Sequence, residues 1–294
     1  TKSRRRLGLS PSEENVMPHP LVSCEQLAAH LNDPDWRIVD CRHQLSDVGY
    51  GQRVYAEGHL PGAFFMHLDR DLSGAMSGCN GRHPLPDPQV LAAKFGAIGI
   101  SSRTQVVVYD DAEGMVSGRL WWMLRWLGHD NVAVLDGGFN RWVKEGRPLT
   151  RDLPVVLPPV FEVEQRDWVV TADEVLANIA SPELVVVDAR GPDRFRGENE
   201  TIDPVGGHIP GARNRFFRDN LDADGRFRPA AELRREFLEL FAGTPPDKTV
   251  MQCGSGVSAC HNLIALELAG LTGARLYAGS WSEWCSDSAR PVEK

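Results

Sequence analysis

From Leu21 onward the chain alternates short apolar runs with stretches of helical period. Ser23 and Gln26 form a capping box that predicts a helix reaching about Leu31. Trp36–Asp40 reads as a strand. Asp87 caps a second helix, with Pro88 at its first position and Gly96 past its end. Thr104–Tyr109 predicts a strand, Gly118–Leu127 a helix, Val132–Leu135 a strand and Phe139–Lys144 a short helix. The order then repeats. Thr171 with Glu174 caps a helix, and Leu184–Asp188 is a strand. Ala230–Phe241 is a helix, Thr249–Gln252 a strand, Ser258–Ala269 a helix closed by Gly270, and Ala274–Tyr277 a strand. Strands alternating with helices predict an α/β fold, a mainly parallel sheet with helices on both faces. In such sheets ligands bind beyond the carboxyl ends of the strands.

The repetition extends to residue strings. Val39-Asp40-Cys41-Arg42 echoes Val187-Asp188-Ala189-Arg190, GHLPGA (Gly58–Ala63) echoes GHIPGA (Gly207–Ala212), and GGFNRW (Gly137–Trp142) echoes GSWSEW (Gly279–Trp284). Asp188 follows Asp40 by 148 positions, His208 follows His59 by 149, and Trp284 follows Trp142 by 142. Near-constant offsets of this size mark one domain duplicated, not a solenoid. A length of 294 residues is also near the point where a single core divides. The expected domains are 18–147 and 167–294, joined by a proline-rich extended linker at 148–166. Thr1–Met17 is expected to be a disordered extension, with Met17 a candidate native start.

Composition narrows the function. A net charge of −8 gives no sign of a nucleic-acid binder, which usually needs a basic stripe. No apolar run is long enough for a membrane span. The N-terminus lacks the apolar core of a signal peptide, and Glu13 and Glu14 weaken an organelle reading of Arg4–Arg6. Six cysteines without a C-x-x-C pair argue against a metal site, and no organic cofactor is indicated. A reducing cytoplasm is the expected compartment.

The candidate chemistry lies in MQCGSGVSACH, residues 251–261. Cys253 stands at the carboxyl end of a strand, before a helix. Gly254 and Gly256 let the backbone curl, so that N–H groups and the helix dipole favour an anion. A thiolate there is a nucleophile, and Ser255 and Ser258 add hydroxyl donors. The bland reading is a buried cysteine beside glycines that merely allow packing. Cysteine phosphatases need an arginine six places on, at a position here held by Ala259. Neither a complete G-x-G-x-x-G nor a Walker lysine is present.

These strings together resemble the tandem-domain rhodaneses, a family of sulfurtransferases, from about Pro20 to the C-terminus. The resemblance implies a silent first domain, with Asp110-Asp111 where the second has Cys253. It implies that Cys253 takes sulfane sulfur as a persulfide from a small anionic donor and passes it to cyanide, a thiol or a thioredoxin-like protein. The loop Cys253-Gly254-Ser255-Gly256-Val257-Ser258-Ala259 follows the branch that uses 3-mercaptopyruvate. Thiosulfate is the alternative donor, and a non-catalytic binding module the alternative class. The resemblance further maps the catalytic serine to Ser255, a histidine to His59, its acidic partner to Asp47 and the donor-binding arginine to Arg194. The mercaptopyruvate branch usually has a second arginine nine residues on. Asp203 stands there, leaving the donor to Arg194 alone or with Arg196.

The remaining residues are read structurally. His208 is expected to be a turn histidine. Asp40 and Asp188 are expected to orient Arg42 and Arg190. Trp121, Trp122 and Trp126 read as core or inter-domain packing, and Cys260 as buried.

Overall fold

The structure, a computed structural model, describes residues 19–156 and 159–294. The expected N-terminal extension lies outside the described residues. The first half contains β1 (Leu21–Val22), α1 (Cys24–Ala29), β2 (Trp36–Asp40), α2 (Tyr50–Glu57) and β3 (Ala63–Phe65). It continues with α3 (Pro88–Ala97), β4 (Gln105–Tyr109), α4 (Ser117–Trp126), β5 (Val132–Leu135) and α5 (Gly138–Lys144). Its five strands are all parallel, in the order β1-β5-β4-β2-β3. The second half contains α6 (Ala172–Ala180), β6 (Val185–Asp188), α7 (Pro192–Phe195), β7 (Arg213–Asn214) and α8 (Ala230–Phe241). It ends with β8 (Thr249–Gln252), α9 (Ala259–Leu268), β9 (Arg275–Leu276) and α10 (Ser280–Trp284), and its parallel order is β7-β6-β8-β9.

Both capping boxes form, at Ser23 and Thr171. The first helix stops at Ala29, two residues short of the expected end, because His30 leaves helical geometry and the chain turns through Asp33. Helix α2 and strands β3 and β7 carry no clear period. Two- and three-residue edge strands are too short to show one.

The three repeated strings meet in space, once in each domain. Arg42 grips Asp40 through Nε and Nη2 at 2.9 and 2.7 Å, and its Nη2 also donates to the Gly58 carbonyl at 2.8 Å. Its guanidinium lies 4.0 Å over the Phe139 ring. In the second domain Arg190 grips Asp188 at 3.0 and 2.7 Å and donates to Gly207 at 2.7 Å. It lies 4.6 Å from the Trp281 ring. One buried guanidinium thus joins strand end, G-H turn and C-terminal helix, so the strings recur as a single unit. The G-H histidines belong to the same unit. His59 stacks on Tyr55 at 3.9 Å and His208 on Phe195 at 3.8 Å.

The two domains share one core. Helix α4 packs on α9, and Leu120, Met123 and Leu124 join Leu263, Ile264 and Leu266 in a single buried cluster. Trp121, Trp122 and Trp126 belong to it, as expected, and Trp281 and Trp284 fill a separate core under the second sheet.

Burial pulls down the pKa of His43, His83 and His129, and that of His261 to about 3. An unfolded histidine titrates near about 6.5. Below that pH the unfolded chain takes up protons that these four residues refuse in the fold, so acid favours unfolding. The urea midpoint is expected to fall between about pH 6.5 and 5, a window in which ordinary carboxylates remain ionised. His261→Gln should flatten that slope. A midpoint constant across the window would contradict the burial of these rings.

Candidate active site

The central strands β4 and β8 end at equivalent places. Tyr109 pairs with Asp40 and Gln252 with Asp188, so the next residues, Asp110 and Cys253, are counterparts. In both domains the following carbonyl is tied to the C-terminal helix. The Phe139 amide donates to Asp110 O at 2.8 Å, and the Trp281 amide to Cys253 O at 2.9 Å.

In the first domain the loop after the strand closes on its own carboxylate. Asp110 Oδ1 accepts from the amides of Ala112 and Gly114, both at 2.9 Å. Its Oδ2 accepts from the amides of Val116 and Ser117, both at 2.8 Å, and from Ser117 Oγ at 3.0 Å. The turn from strand to helix in this fold is therefore an anion cradle. In the second domain the thiol side chain carries no such acceptor. Among the described residues, no protein group accepts from the amides of Gly254 to Ala259.

Backbone contacts hold that loop open. Cys253 N–H donates to Ser280 Oγ at 3.1 Å, and the Ser282 amide donates to Gly254 O at 2.9 Å. Gly256 has φ +73°, and a Cβ there would sit 2.3 Å from the Ala278 carbonyl oxygen, so only glycine fits. Cys253 is 2% exposed yet lines a cavity of about 370 Å³ between the domains. Gly254, Ser255, Val257, Ser258 and Arg194 line the same cavity. Cys260 does not. Burial pushes its thiol up to about 12, against the attraction of Arg119.

Ser255 is held by groups that no motif announced. Its Oγ lies 2.7 Å from His83 Nδ1, and His83 Nε2 lies 3.1 Å from Asp69 Oδ1. Burial keeps His83 neutral, and the His83 hydrogen bond holds the Asp69 pKa down. Nε2–H then donates to the carboxylate, and Nδ1 accepts from the serine hydroxyl. The expected partners of Ser255 lie elsewhere. His59 is fully buried with Nδ1 2.8 Å from Tyr55 O and Nε2 3.1 Å from Asp152 O. One of these carbonyls takes the ring N–H, and the ring sits in its turn as His208 does. Asp47 forms an exposed ion pair with Arg53 at 2.5 Å. Neither lines the cavity.

His43, His67 and Asp69 bring metal-ligating atoms within 4.8 Å of one another. His67 Nδ1 accepts the Asp69 amide at 3.1 Å and its Nε2 lies 2.8 Å from Val48 O, so His67 has no lone pair to give.

One wall of the cavity is cationic. Arg194 bonds Glu200 through Nε and Nη2 at 3.0 and 2.9 Å and reaches Asp203 at 3.2 Å. Arg82, from the first domain, bonds the other oxygen of Asp203 at 2.7 Å. Arg196 does not join them. It is half-exposed and paired with Glu198 at 2.7 Å. Beneath the loop, fully buried Arg119 donates through Nη1 to Gly256 O at 2.9 Å and through Nη2 to His83 O at 2.8 Å. The available signals were faint. Arg82 and His83 follow a glycine-rich loop, and Arg119 opens an otherwise apolar helix turn.

Comparison with known proteins agrees with this geometry. Residues 23–145 and 171–287 each match the rhodanese-like domain model. The chain is 50% identical over 275 residues to a probable 3-mercaptopyruvate sulfurtransferase of Pseudomonas aeruginosa, covering 92% of this chain and 97% of that one. It is 34% identical over 281 residues to a thiosulfate sulfurtransferase of Cricetulus griseus, covering 92% and 93%. The 3-mercaptopyruvate sulfurtransferase of Escherichia coli superposes with a TM-score of 0.77 at 30% identity, covering 89% of this chain and 98% of that one. That of Leishmania major gives 0.82 at 30% identity, covering 96% and 78%.

Proposed function

Since the chain belongs to the rhodanese family and is a sulfurtransferase, we propose that it takes sulfur from 3-mercaptopyruvate onto Cys253 and delivers it to a small thiol, cyanide or a thioredoxin-like protein. The single observation that carries this reading is the pair Asp110 and Cys253. One cradle holds a carboxylate, and its twin leaves its amides unengaged around a sulfur.

The chemistry follows from the neighbours. The Cys253 thiolate attacks the donor sulfur, an S–S bond forms, and the C–S bond breaks. The electron pair leaves with the carbon as the enolate of pyruvate. That enolate needs one proton. Ser255 Oγ–H can give it and take the donor's own S–H proton in its place, so the proton lost from the sulfur ends on the carbon, with the serine oriented by His83 Nδ1 and Asp69. The amides of the loop receive the persulfide anion. Arg194 holds the donor carboxylate. Pyruvate is a poor leaving group without that proton, whereas sulfite needs none, so a histidine-backed serine favours the keto-acid donor. All six cysteines are free, which supports a reducing compartment. Among the described residues no helix is long and apolar enough to cross a membrane.

Two measurements test this. Intact-mass spectrometry after incubation with 3-mercaptopyruvate should show one added sulfur. The kcat/KM for 3-mercaptopyruvate should exceed that for thiosulfate at least about 10-fold, and Ser255→Ala should lower the former by about 10²-fold and the latter far less. Preference for thiosulfate, or equal losses on both donors, would overturn the assignment of donor.

A further inference from the structure

We infer that His43 is the base that takes the proton from a thiol acceptor when the sulfur held on Cys253 is passed on. The inference rests on the persulfide reading above and deepens it, by assigning a residue to the second half of the transfer.

His43 lines the cavity that holds Cys253, yet the first half of the reaction makes no use of it. It directly follows Arg42, and its place in the second domain is taken by Gly191, which follows Arg190. Both residues line the cavity, so the first domain places an imidazole where its repeat places no side chain. The Arg42 amide donates to Asp40 Oδ1 at 2.9 Å, which fixes the backbone from which His43 departs. The ring packs edge-on against His67 at 5.6 Å. It is 8% exposed, its Nε2 is buried without a partner, and no hydrogen bond holds Nδ1 among the described residues. A buried polar group left unsatisfied calls for a role, since a ring kept only for packing would be replaced at no loss by an apolar side chain.

The other bases of the cavity are committed. His83 is bonded to Ser255 through Nδ1 and to Asp69 through Nε2. Asp193 accepts from Asn199 Nδ2 at 3.0 Å and from the Arg194 amide at 2.8 Å, and these bonds hold its pKa down. Around His43 stand Asp69, His67, His83 and Arg82 from the first domain, and Arg190, Asp193, Arg194 and Cys253 from the second. Burial lowers the His43 pKa against the pull of Asp69, so the ring is neutral and able to accept a proton at neutral pH.

The step balances. As the acceptor sulfur bonds the outer sulfur of the persulfide anion, its S–H proton passes to His43. The S–S bond to Cys253 breaks, and its electron pair returns to that sulfur as a thiolate. The imidazolium then hands its proton to the departing acceptor persulfide. Neither an oxidant nor a reductant is needed.

Single-turnover transfer from sulfur-loaded protein provides the test, with free cysteine and sulfite as alternative acceptors. Cysteine brings an S–H proton with a pKa of about 8.5, whereas ionised sulfite attacks without losing one. His43→Gln is expected to pass sulfur to cysteine about 10- to 100-fold more slowly at neutral pH, with transfer to sulfite within about 3-fold of wild type. The deficit should shrink as pH rises through about 8.5, where the acceptor ionises unaided. Equal losses with both acceptors, no loss with cysteine, or a loss that persists at high pH would overturn the inference. Wild-type protein gives a second readout that needs no variant. Below about pH 8.5 its transfer to cysteine should fall far less than the tenfold per pH unit that attack by solution thiolate requires, and a full tenfold fall sinks the assignment. Failure of the donor reading looks different. Wild-type protein would then gain no sulfur from 3-mercaptopyruvate, and thiosulfate would load Cys253 for the same experiment.

Discussion

Cys253→Ser leaves a folded protein that gains no sulfur mass from any donor and turns over at least about 10⁴-fold more slowly than wild type. Folding survives because the contacts that shape the loop are backbone contacts. Cys253 N–H still meets Ser280 Oγ, and the Trp281 amide still meets the carbonyl of residue 253. The hydroxyl is smaller than the thiol and fits the same space. Chemistry does not survive, since an alcohol is hardly ionised at neutral pH and cannot carry a second sulfur. Cys260→Ser is the companion. Cys260 is fully buried and points its sulfur at Gly256 O, 3.4 Å away, so its loss should leave sulfur uptake intact. Uptake retained by Cys253→Ser, or lost in Cys260→Ser at unchanged stability, would place the nucleophile elsewhere.

How much of this was legible in the chain depends on distance along it. The strand–loop–helix around Cys253 is local, and capping residues, glycines and apolar period reveal it directly. Duplication is legible too, because a buried arginine that joins three strings forces all three to recur. What the sequence hides is contact across the domain junction. His83 and Ser255 are 172 positions apart, and Arg82 and Asp203 are 121 apart. No period or spacing encodes such pairs. The family resemblance pointed to His59, which also stands in a repeated motif. Its twin His208 makes the same stack and the same bond to a backbone carbonyl, at 2.8 Å in each case, so repetition marks architecture. The proposed chemistry lies where the two halves differ, Asp110 against Cys253.

Arg119→Met is expected to separate activity from stability. The cationic wall is balanced. Arg82, Arg190 and Arg194 face Asp188, Glu200 and Asp203. Arg119 is the surplus. It is fully buried, its Nε has no partner, and no carboxylate pairs with it among the described residues. Burial lowers its pKa, and the charges that oppose this are the sulfurs of Cys260 and Cys253. An uncompensated buried cation costs several kcal/mol. Methionine removes that cost and loses two hydrogen bonds to carbonyls, about 1–3 kcal/mol each. The terms nearly cancel, so Tm should stay within a few degrees of wild type or rise. A thiolate formed on Cys253 would lose the nearby guanidinium in a low-dielectric setting, and sulfur uptake and alkylation by iodoacetamide should both slow by about 10²-fold at neutral pH. Arg119→Lys keeps the charge and should retain most of both rates. A methionine variant that is several kcal/mol less stable yet takes up sulfur normally would make Arg119 a brace for Gly256 and His83 and nothing more. A stability-neutral substitution that disables the loop would tie the cost of burying this cation to a thiolate or persulfide on Cys253.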